Sequence, residues 1–254
     1  MPGEIVTAAS LLVSGGAGGW LADKLLGPSF DALGEQFRAF AGKRLSSIFT
    51  TAGKMTDHEG LEALPPGFAL EFIQKASFSE DDESLTKLWA GLLIEASKNF
   101  DSRHVSFVNI LSQMTSGDAG VLDSLVPDDF YPISLITVPV AINLNTRTKI
   151  ASEIKNVCDS DIEAEAEINR LISLDLGWPG KITSARIYYK EKEEQQVLTG
   201  GILDKKSSFE NLLRLGLLEK FEVSNSLTPY AVGVEGYLLT VLGLMFIQTC
   251  RGKK

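Results

Sequence analysis

The chain has 254 residues, a hydrophobic content of 44%, a charged content of 22% and a formal net charge of −9. A chain of this size can bury a substantial apolar core, and its composition excludes a wholly disordered chain and a fibrous repeat. The charge is uneven, because residues 55–130 hold 14 acids against 4 bases, whereas residues 205–254 hold 7 bases against 4 acids. This distribution excludes a protein that coats nucleic acid with its whole surface, so any contact with phosphate must be local.

Two cysteines occur, Cys158 and Cys250, and neither has a second cysteine or a histidine at a metal-binding spacing. A disulfide scaffold and a zinc knuckle are therefore disfavoured, and free thiols in a reducing compartment are expected. The start of the chain lacks the basic region and the cleavage pattern of a secretion signal. We expect a cytoplasmic protein, with peripheral membrane association as the alternative.

The first segment is apolar and rich in glycine. Residues 5–22 carry no charge over 18 positions, which is the lower limit for a membrane-spanning helix, but four glycines in this stretch weaken a helix. Residues 30–49 then place apolar side chains at intervals of three and four, which predicts an amphipathic helix. Its stripe packs either against the rest of the domain or against a partner helix, a second copy or a membrane, so membrane contact through residues 5–49 stays open.

The stretch SFSEDDESLTKLWAGLLIEASKN, residues 77–99, joins four consecutive acids to an apolar stripe. The Ser79-x-x-Asp82 pattern predicts that Ser79 caps a helix while the neighbouring carboxylates stabilise its positive end. Consecutive acids on one helical turn point around the axis, which favours capping over a metal or catalytic site. Gly91, inside this helix, predicts a close crossing with another helix.

Further helical patterns follow on both sides. A proline pair at residues 65–66 precedes one helix, and HVSFVNILSQM and SGDAGVLDSL predict two more, the second capped by Ser116. Residues 30–126 therefore read as amphipathic helices joined by short loops.

The middle of the chain is less uniform. ISLITVPVAINL, residues 133–144, is β-rich but contains Pro139, which predicts an edge strand, a bulge or a loop. Helical patterns follow at residues 150–158 and 162–172, and ARIYYKEKEEQQVL fits either a strand or a helix.

The last fifty residues predict the order helix, strand, loop, strand, helix. Ser207 and Glu210 form a capping-box pattern, Gly216 ends the first helix, and Thr240 begins the last one. LLEKFEV and EGYLLT are the two strands. This order is that of a winged helix, and also of a two-stranded ribbon that completes other folds.

The C-terminal element carries the candidate contact residues. Lys205, Lys206 and Arg214 lie on or just before its first helix, and Lys220 lies on the following strand. In a winged helix these cations contact nucleic acid or a protein partner. The alternative is a solvated basic face.

No catalytic constellation is found. The two histidines, His58 and His104, lie in separate segments without metal-ligand spacing, and the chain has neither a P-loop nor a G-x-S-x-G elbow. His104 precedes a helix directly, so a capping or structural role is favoured over a base or a pH switch. We expect no enzyme activity, no cofactor and no metal.

Five segments in this order resemble a known family: LPPGFAL, SEDDESLTKLWAGLL, HVSFVNILSQM with DAGVLDSL, NLLRLGLLE and YLLTVLGLMF. Together, over roughly residues 20–250, the chain resembles the abortive infection alpha family of bacterial proteins. The resemblance implies defence against phage by killing or arresting the infected cell. It implies no catalytic residues.

The sequence therefore predicts a mainly α protein with a small β component. Its expected parts are a glycine-rich apolar start with an amphipathic helix (residues 1–54), a helical core domain (55–175) and a winged-helix-like α/β element (176–254). We expect a non-enzymatic antiphage protein that binds a protein partner as regulator or effector. Nucleic-acid binding through the C-terminal element, membrane perturbation through the apolar start and an oligomer are the alternatives.

Overall fold

The computed structural model describes residues 35–57, 59–126, 138–158, 170–189, 194–199, 205–226 and 230–251. The predicted fold class is confirmed, because helices dominate the described residues and a small antiparallel sheet accompanies them. In chain order the elements are α1 (Glu35–Met55), α2 (Pro66–Ser77), α3 (Glu83–Lys98), α4 (Arg103–Leu111), α5 (Ser116–Leu125), α6 (Val138–Cys158), β1 (Gly180–Tyr189), β2 (Glu194–Thr199), α7 (Lys206–Arg214), β3 (Leu218–Ser226), β4 (Tyr230–Leu239) and α8 (Val241–Arg251).

The chain forms two compact units. The first contains the described residues up to Ala119 and those from Met245 onward, and the second runs from Gly120 to Leu244. The three-part division predicted at residues 54 and 175 stays a prediction.

The first unit is helical, and its core follows the predicted apolar stripes. α1 buries Leu45, Ile48 and Phe49 almost completely, so this part of the stripe is covered within the chain. On α3, the ring of Trp89 is fully buried and meets Phe72 edge-on, with 5.2 Å between the ring centroids. Burial of each such side chain stabilises the unit by about 1.5–3 kcal/mol.

Gly91 on α3 lies where another backbone passes very close. A Cβ atom at this position would stand 1.6 Å from the carbonyl oxygen of Cys250 in α8. Only a residue without a side chain fits there, which confirms the close helix crossing predicted at Gly91. The thiol of Cys250 is buried and forms no disulfide with a residue whose side chain is described, and burial raises its pKa well above the usual value.

The second unit is built on an antiparallel sheet. Its strands in the described residues follow the order β2-β1-β4-β3, so consecutive strands pair as hairpins and β1 pairs with β4. α6 packs against β3 and β4, and α7 packs against β3. One hydrophobic core of this unit, which α6 shares with the sheet, consists of buried apolar residues: Ile150, Ile154, Leu171, Leu176, Ile182, Ala185, Phe221, Val234 and Leu238.

One segment folds differently from its prediction. For a second segment, the structure decides between two predicted alternatives. The segment 133–144 was expected to be an edge strand, a bulge or a loop, yet α6 begins at Val138. Pro139 lies in the first turn, where a missing N–H breaks no helical hydrogen bond, so the proline is compatible with a helix start. ARIYYKEKEEQQVL contributes to β1 and β2, so its strand alternative is correct.

The C-terminal order of helix, strand, strand and helix is confirmed. Gly216 ends α7 with a φ of +73°, the left-handed conformation that glycine adopts without strain. Thr240 caps α8, since its Oγ1 accepts a hydrogen bond from the N–H of Gly243 at 2.9 Å. The winged-helix comparison stays a prediction, because the β3–β4 hairpin belongs to a larger sheet that includes β1 and β2.

Two of the predicted caps, Ser116 and Ser207, do not cap their helices. Thr115 caps α5 instead of Ser116: its Oγ1 accepts from the N–H of Asp118, and Asp118 Oδ2 accepts from the N–H of Thr115 at 2.8 Å. Ser207 lies inside α7, which begins with Lys205 at the N-cap position and has no side-chain cap. Neighbouring polar residues compete for the same orphan amides, and packing selects among them.

Several predictions concern residues outside the described ones. These are the glycine-rich segment 5–22, the first part of the 30–49 stripe, His58, residues 133–137 and most of the helix expected at 162–172. Within the described ranges, no helix is both long and apolar enough to cross a bilayer.

Candidate functional site

α7 presents the three cations that the sequence singles out in this helix. Lys205, Lys206 and Arg214 are exposed, whereas Phe209 and Leu212 on the same helix are buried. Lys206 Nζ lies 3.8 Å from a carboxylate oxygen of Glu210, one turn further along. The helix therefore turns one face to its unit and the charged face to solvent.

Arg214 and Lys220 each have a hydrogen-bond partner nearby. Arg214 donates from Nε and Nη2 to the side-chain oxygen of Asn211, at 3.2 and 2.8 Å. Lys220 on β3 pairs with Glu235 on β4 at 3.0 Å. The hydrogen bond to this carboxylate raises the pKa of Lys220. The four predicted contact residues thus lie on two adjacent elements, and two of them face a glutamate.

The acidic run at the start of α3 caps the helix, but through a different residue from the one expected. Asp82 is the N-cap, and its Oδ1 accepts from the N–H of Leu85 at 3.0 Å. The predicted cap, Ser79, instead donates to the carbonyl of Ala76 at 2.8 Å and accepts from Arg44. Ser79 ends the preceding turn because α3 begins only at Glu83.

Each of the other three carboxylates has its own partner. Glu80 accepts from the backbone N–H of Ser116 at 2.8 Å. Asp81 faces Arg44 at 3.4 Å, and Glu83 pairs with Lys87 at 2.7 Å. The carboxylates therefore point in different directions, and no three potential metal ligands converge anywhere in the described part of the chain.

Arg44 is the buried charge beside this run, with 7% of its side chain exposed. Nε donates to Ser79 at 3.0 Å, and Nη1 donates to Thr86 and Asp81. Burial lowers the pKa of Arg44, and the charges of Asp81 and Asp82 partly oppose this shift. Nη2 is buried and has no hydrogen-bond partner in the described ranges.

A cleft that sequence reasoning missed lies at the other end of α3. Its volume is about 320 Å³, within the range of small-ligand sites. Its lining residues are Glu95, Asn99, Asp101, Arg103, His104, Phe107 and Thr249. Thr249 is separated from the rest by about 140 positions in sequence, so no local spacing could have indicated the cleft.

His104 is the most deeply buried polar residue of this cleft, with 4% of it exposed. Its Nδ1 accepts from the backbone N–H of Asp101 at 3.0 Å, which agrees with the predicted structural role near a helix start. The imidazole stacks on Phe100, with 5.8 Å between ring centroids. Nε2 is buried, and none of the described residues forms a hydrogen bond with it.

The carboxylates of the cleft differ in their pairing. Asp101 Oδ1 accepts from the N–H of Arg103 at 2.8 Å, and Asp101 Oδ2 accepts from Arg103 Nε at 2.9 Å. The hydrogen bonds to Arg103 lower the pKa of Asp101 and raise that of Arg103. Among the described residues, the carboxylate of Glu95 accepts a hydrogen bond only from the side-chain amide of Asn99, at 3.5 Å, and no cation pairs with it.

Comparison with known proteins identifies one family. The family model described as abortive infection alpha matches residues 42–250, which is most of the chain. Neither the curated proteins nor the solved structures gave a match. The resemblance seen in the sequence is thereby confirmed.

Proposed function

Because the chain belongs to the abortive infection alpha family, we propose that it is a non-enzymatic antiphage protein that binds a protein partner through the exposed face of α7. The family implies a role in abortive infection. The mode of action, by partner binding as regulator or effector, is our proposal.

The two-sided character of α7 carries this proposal. Its buried side fixes the helix on β3, and its other side holds Lys205, Lys206 and Arg214 in solvent. A helix that is anchored on one face presents its exposed charges with little loss of conformational freedom on binding. Such a face suits a partner with a complementary acidic surface.

The charges around α7 favour a protein over nucleic acid. Glu210 lies between Lys206 and Arg214 on the helix, and Glu235 pairs with Lys220 on the adjacent hairpin. These carboxylates reduce the positive potential that would attract a phosphate backbone. Alternating charges instead supply specific pairs to a protein surface.

The test reverses the three cations at once. We expect the variant Lys205→Glu, Lys206→Glu, Arg214→Glu to lower protection of cells against phage by about tenfold or more, because repulsion replaces attraction at the interface. A pull-down from infected cells should lose the partner at the same time.

The matched control makes the same change of charge elsewhere. Lys43, Lys54 and Lys98 are exposed residues of the first unit, and their triple replacement by glutamate should leave protection unchanged. Equal protection by both triple variants would overturn the proposal. Wild-type binding to duplex DNA that weakens steeply with salt and is lost in the α7 variant would make nucleic acid the partner.

A further inference from the structure

We propose that the cleft at the C-terminal end of α3 binds a cationic group, a guanidinium or an ammonium ion. This site lies in the first unit and does not depend on the function proposed for α7. Six of its seven lining residues are polar, so it is suited to a charged group and not to an apolar ligand. Its volume of about 320 Å³ fits one basic side chain or a small amine.

The charge balance of the cleft selects a cation. The charge of Asp101 is compensated by Arg103, whereas Glu95 has no cationic partner among the described residues. One negative charge is therefore uncompensated. A guanidinium or ammonium ion at Glu95 would form the charge-assisted hydrogen bonds that the carboxylate lacks.

The dipole of α3 also favours a cation near Glu95. α3 ends at Lys98, with Asn99 as its C-cap, so the negative end of the helix dipole lies beside the cleft. The positive end of α4 also faces this region, but the carboxylate of Asp101 accepts from its first amide, that of Arg103. The field that remains for a ligand attracts a positive charge.

His104 adds a buried polar atom. Its Nδ1 lies 3.0 Å from the backbone nitrogen and 3.1 Å from the carbonyl oxygen of Asp101, so the backbone of Asp101 satisfies this side of the ring. Nε2 is buried, and no described residue forms a hydrogen bond with it. A polar group that accompanies the bound cation can therefore use Nε2 as its hydrogen-bond partner.

An exposed aromatic ring contacts the imidazole. Phe100, which is 41% exposed, stacks on His104, with 5.8 Å between the ring centroids. Binding in the cleft should therefore perturb the signals of both rings.

The experiment titrates the full chain by NMR with Nα-acetyl-arginine amide. The neutral isostere Nα-acetyl-citrulline amide tests the charge, and propylguanidine, a monocation that lacks the backbone carbonyls, tests the source of the cation. We expect shifts of the His104 and Phe100 signals with the arginine amide and none with the citrulline amide.

The variant Glu95→Gln keeps the shape of the side chain and removes its charge. We expect it to weaken binding of the arginine amide by about tenfold or more, because the charge-assisted hydrogen bonds are lost. Glu62→Gln makes the same change at an exposed site outside the cleft and should bind like the wild type.

The outcomes distinguish two possible sources of the cationic group. Tighter binding of the arginine amide than of propylguanidine supports a basic side chain of a polypeptide, and equal binding supports a small free cation. Equal binding of the citrulline amide, unchanged affinity of Glu95→Gln, or no binding of any probe at millimolar concentration would overturn the proposal. Failure of the α7 variants to affect defence would leave it intact.

Discussion

The carboxylates at the two ends of α3 differ in their pairing. At the N-terminal end, Glu80 to Glu83 each have a partner, which is a backbone amide, a buried arginine or a lysine. At the C-terminal end, the carboxylate of Glu95 has a single long hydrogen bond within the part of the chain that the structure describes, to Asn99. The cluster of acids at residues 80–83 thus has a structural role. Glu95, a single acid, is the carboxylate whose oxygens can still accept hydrogen bonds.

This difference shows that the number of charged groups does not locate a site. Asp82 satisfies an orphan amide, so its bonding capacity is used in holding the helix start. Glu95 lies in the last turn of a helix, where a carboxylate is unfavourable next to the negative end of the dipole. A carboxylate that lies where the helix dipole disfavours its charge is better evidence of function than a carboxylate that lies where the dipole favours it.

The largest effect on stability is expected at Gly91, where α3 crosses α8. Gly91→Ala should destabilise the protein by about 3 kcal/mol or more, because the added Cβ would overlap the backbone of Cys250. Thermal or urea unfolding measures this change. Gly120→Ala is the control: its Cβ meets nothing within 4 Å, so stability should stay equal or rise by up to about 1 kcal/mol. A mild effect of Gly91→Ala would disprove the close crossing.

Arg44 tests the N-terminal end. Arg44→Ala should cost about 2–3 kcal/mol, because its hydrogen bonds to Ser79 and Thr86 and the packing of its stem are lost. Arg44→Met should cost about 1 kcal/mol or less, since it fills the volume and removes the unpartnered Nη2. Denaturant unfolding of the two variants distinguishes packing from charge. Equal losses would mean that the charge itself is needed.

The position of the cap can be tested at neighbouring acids. Asp82→Ala should cost about 1 kcal/mol, because Leu85 loses the acceptor of its N–H. Asp81→Ala should cost less than about 0.5 kcal/mol, because 63% of the Asp81 side chain is exposed and its ion pair is screened. Thermal melts at low and high salt compare the two. The reverse order would place the cap at another residue.

The C-terminal end should show a weak dependence on pH at Asp101. Its pKa is lowered in the folded protein, so its ion pair stabilises the fold above the unfolded pKa of about 3.9 and this contribution is lost as the pH falls through the lower folded value. The stability difference between wild type and Asp101→Asn should therefore be largest at neutral pH, at less than about 1 kcal/mol, and shrink below about pH 4. Urea titrations at several pH values measure it; a difference that grows on acidification would contradict the pairing with Arg103.

The smallest effect is expected at Glu95 itself. Glu95→Gln should change stability by no more than about 0.5 kcal/mol, since no ion pair is lost. Thermal unfolding without ligand provides the measurement. A loss of 2 kcal/mol or more would reveal a structural role and remove the contrast between the two ends of α3.

Much of the fold could be predicted because it depends on local patterns. The apolar stripe of α3, the turn at Gly216 and the cap at Thr240 follow from side-chain spacing and backbone conformation, which are written in short stretches of sequence. Two of the wrong predictions concern competing neighbours: Ser79 and Ser116 have suitable hydroxyls, but Asp82 and Thr115 occupy the cap positions. A difference of one turn in the helix start depends on packing that no local pattern contains.

The sequence by itself determined the helical character, the amphipathic faces, the family and the requirement for glycine at position 91. Tertiary structure alone decided that β1 and β2 extend the C-terminal hairpin into one sheet, that the acids of residues 80–83 have separate partners, and that Thr249 meets His104 and Glu95 around a cleft. The physical reason is distance along the chain. Periodicity and capping act over a few residues, whereas charge pairing and cavities depend on which distant segments pack together.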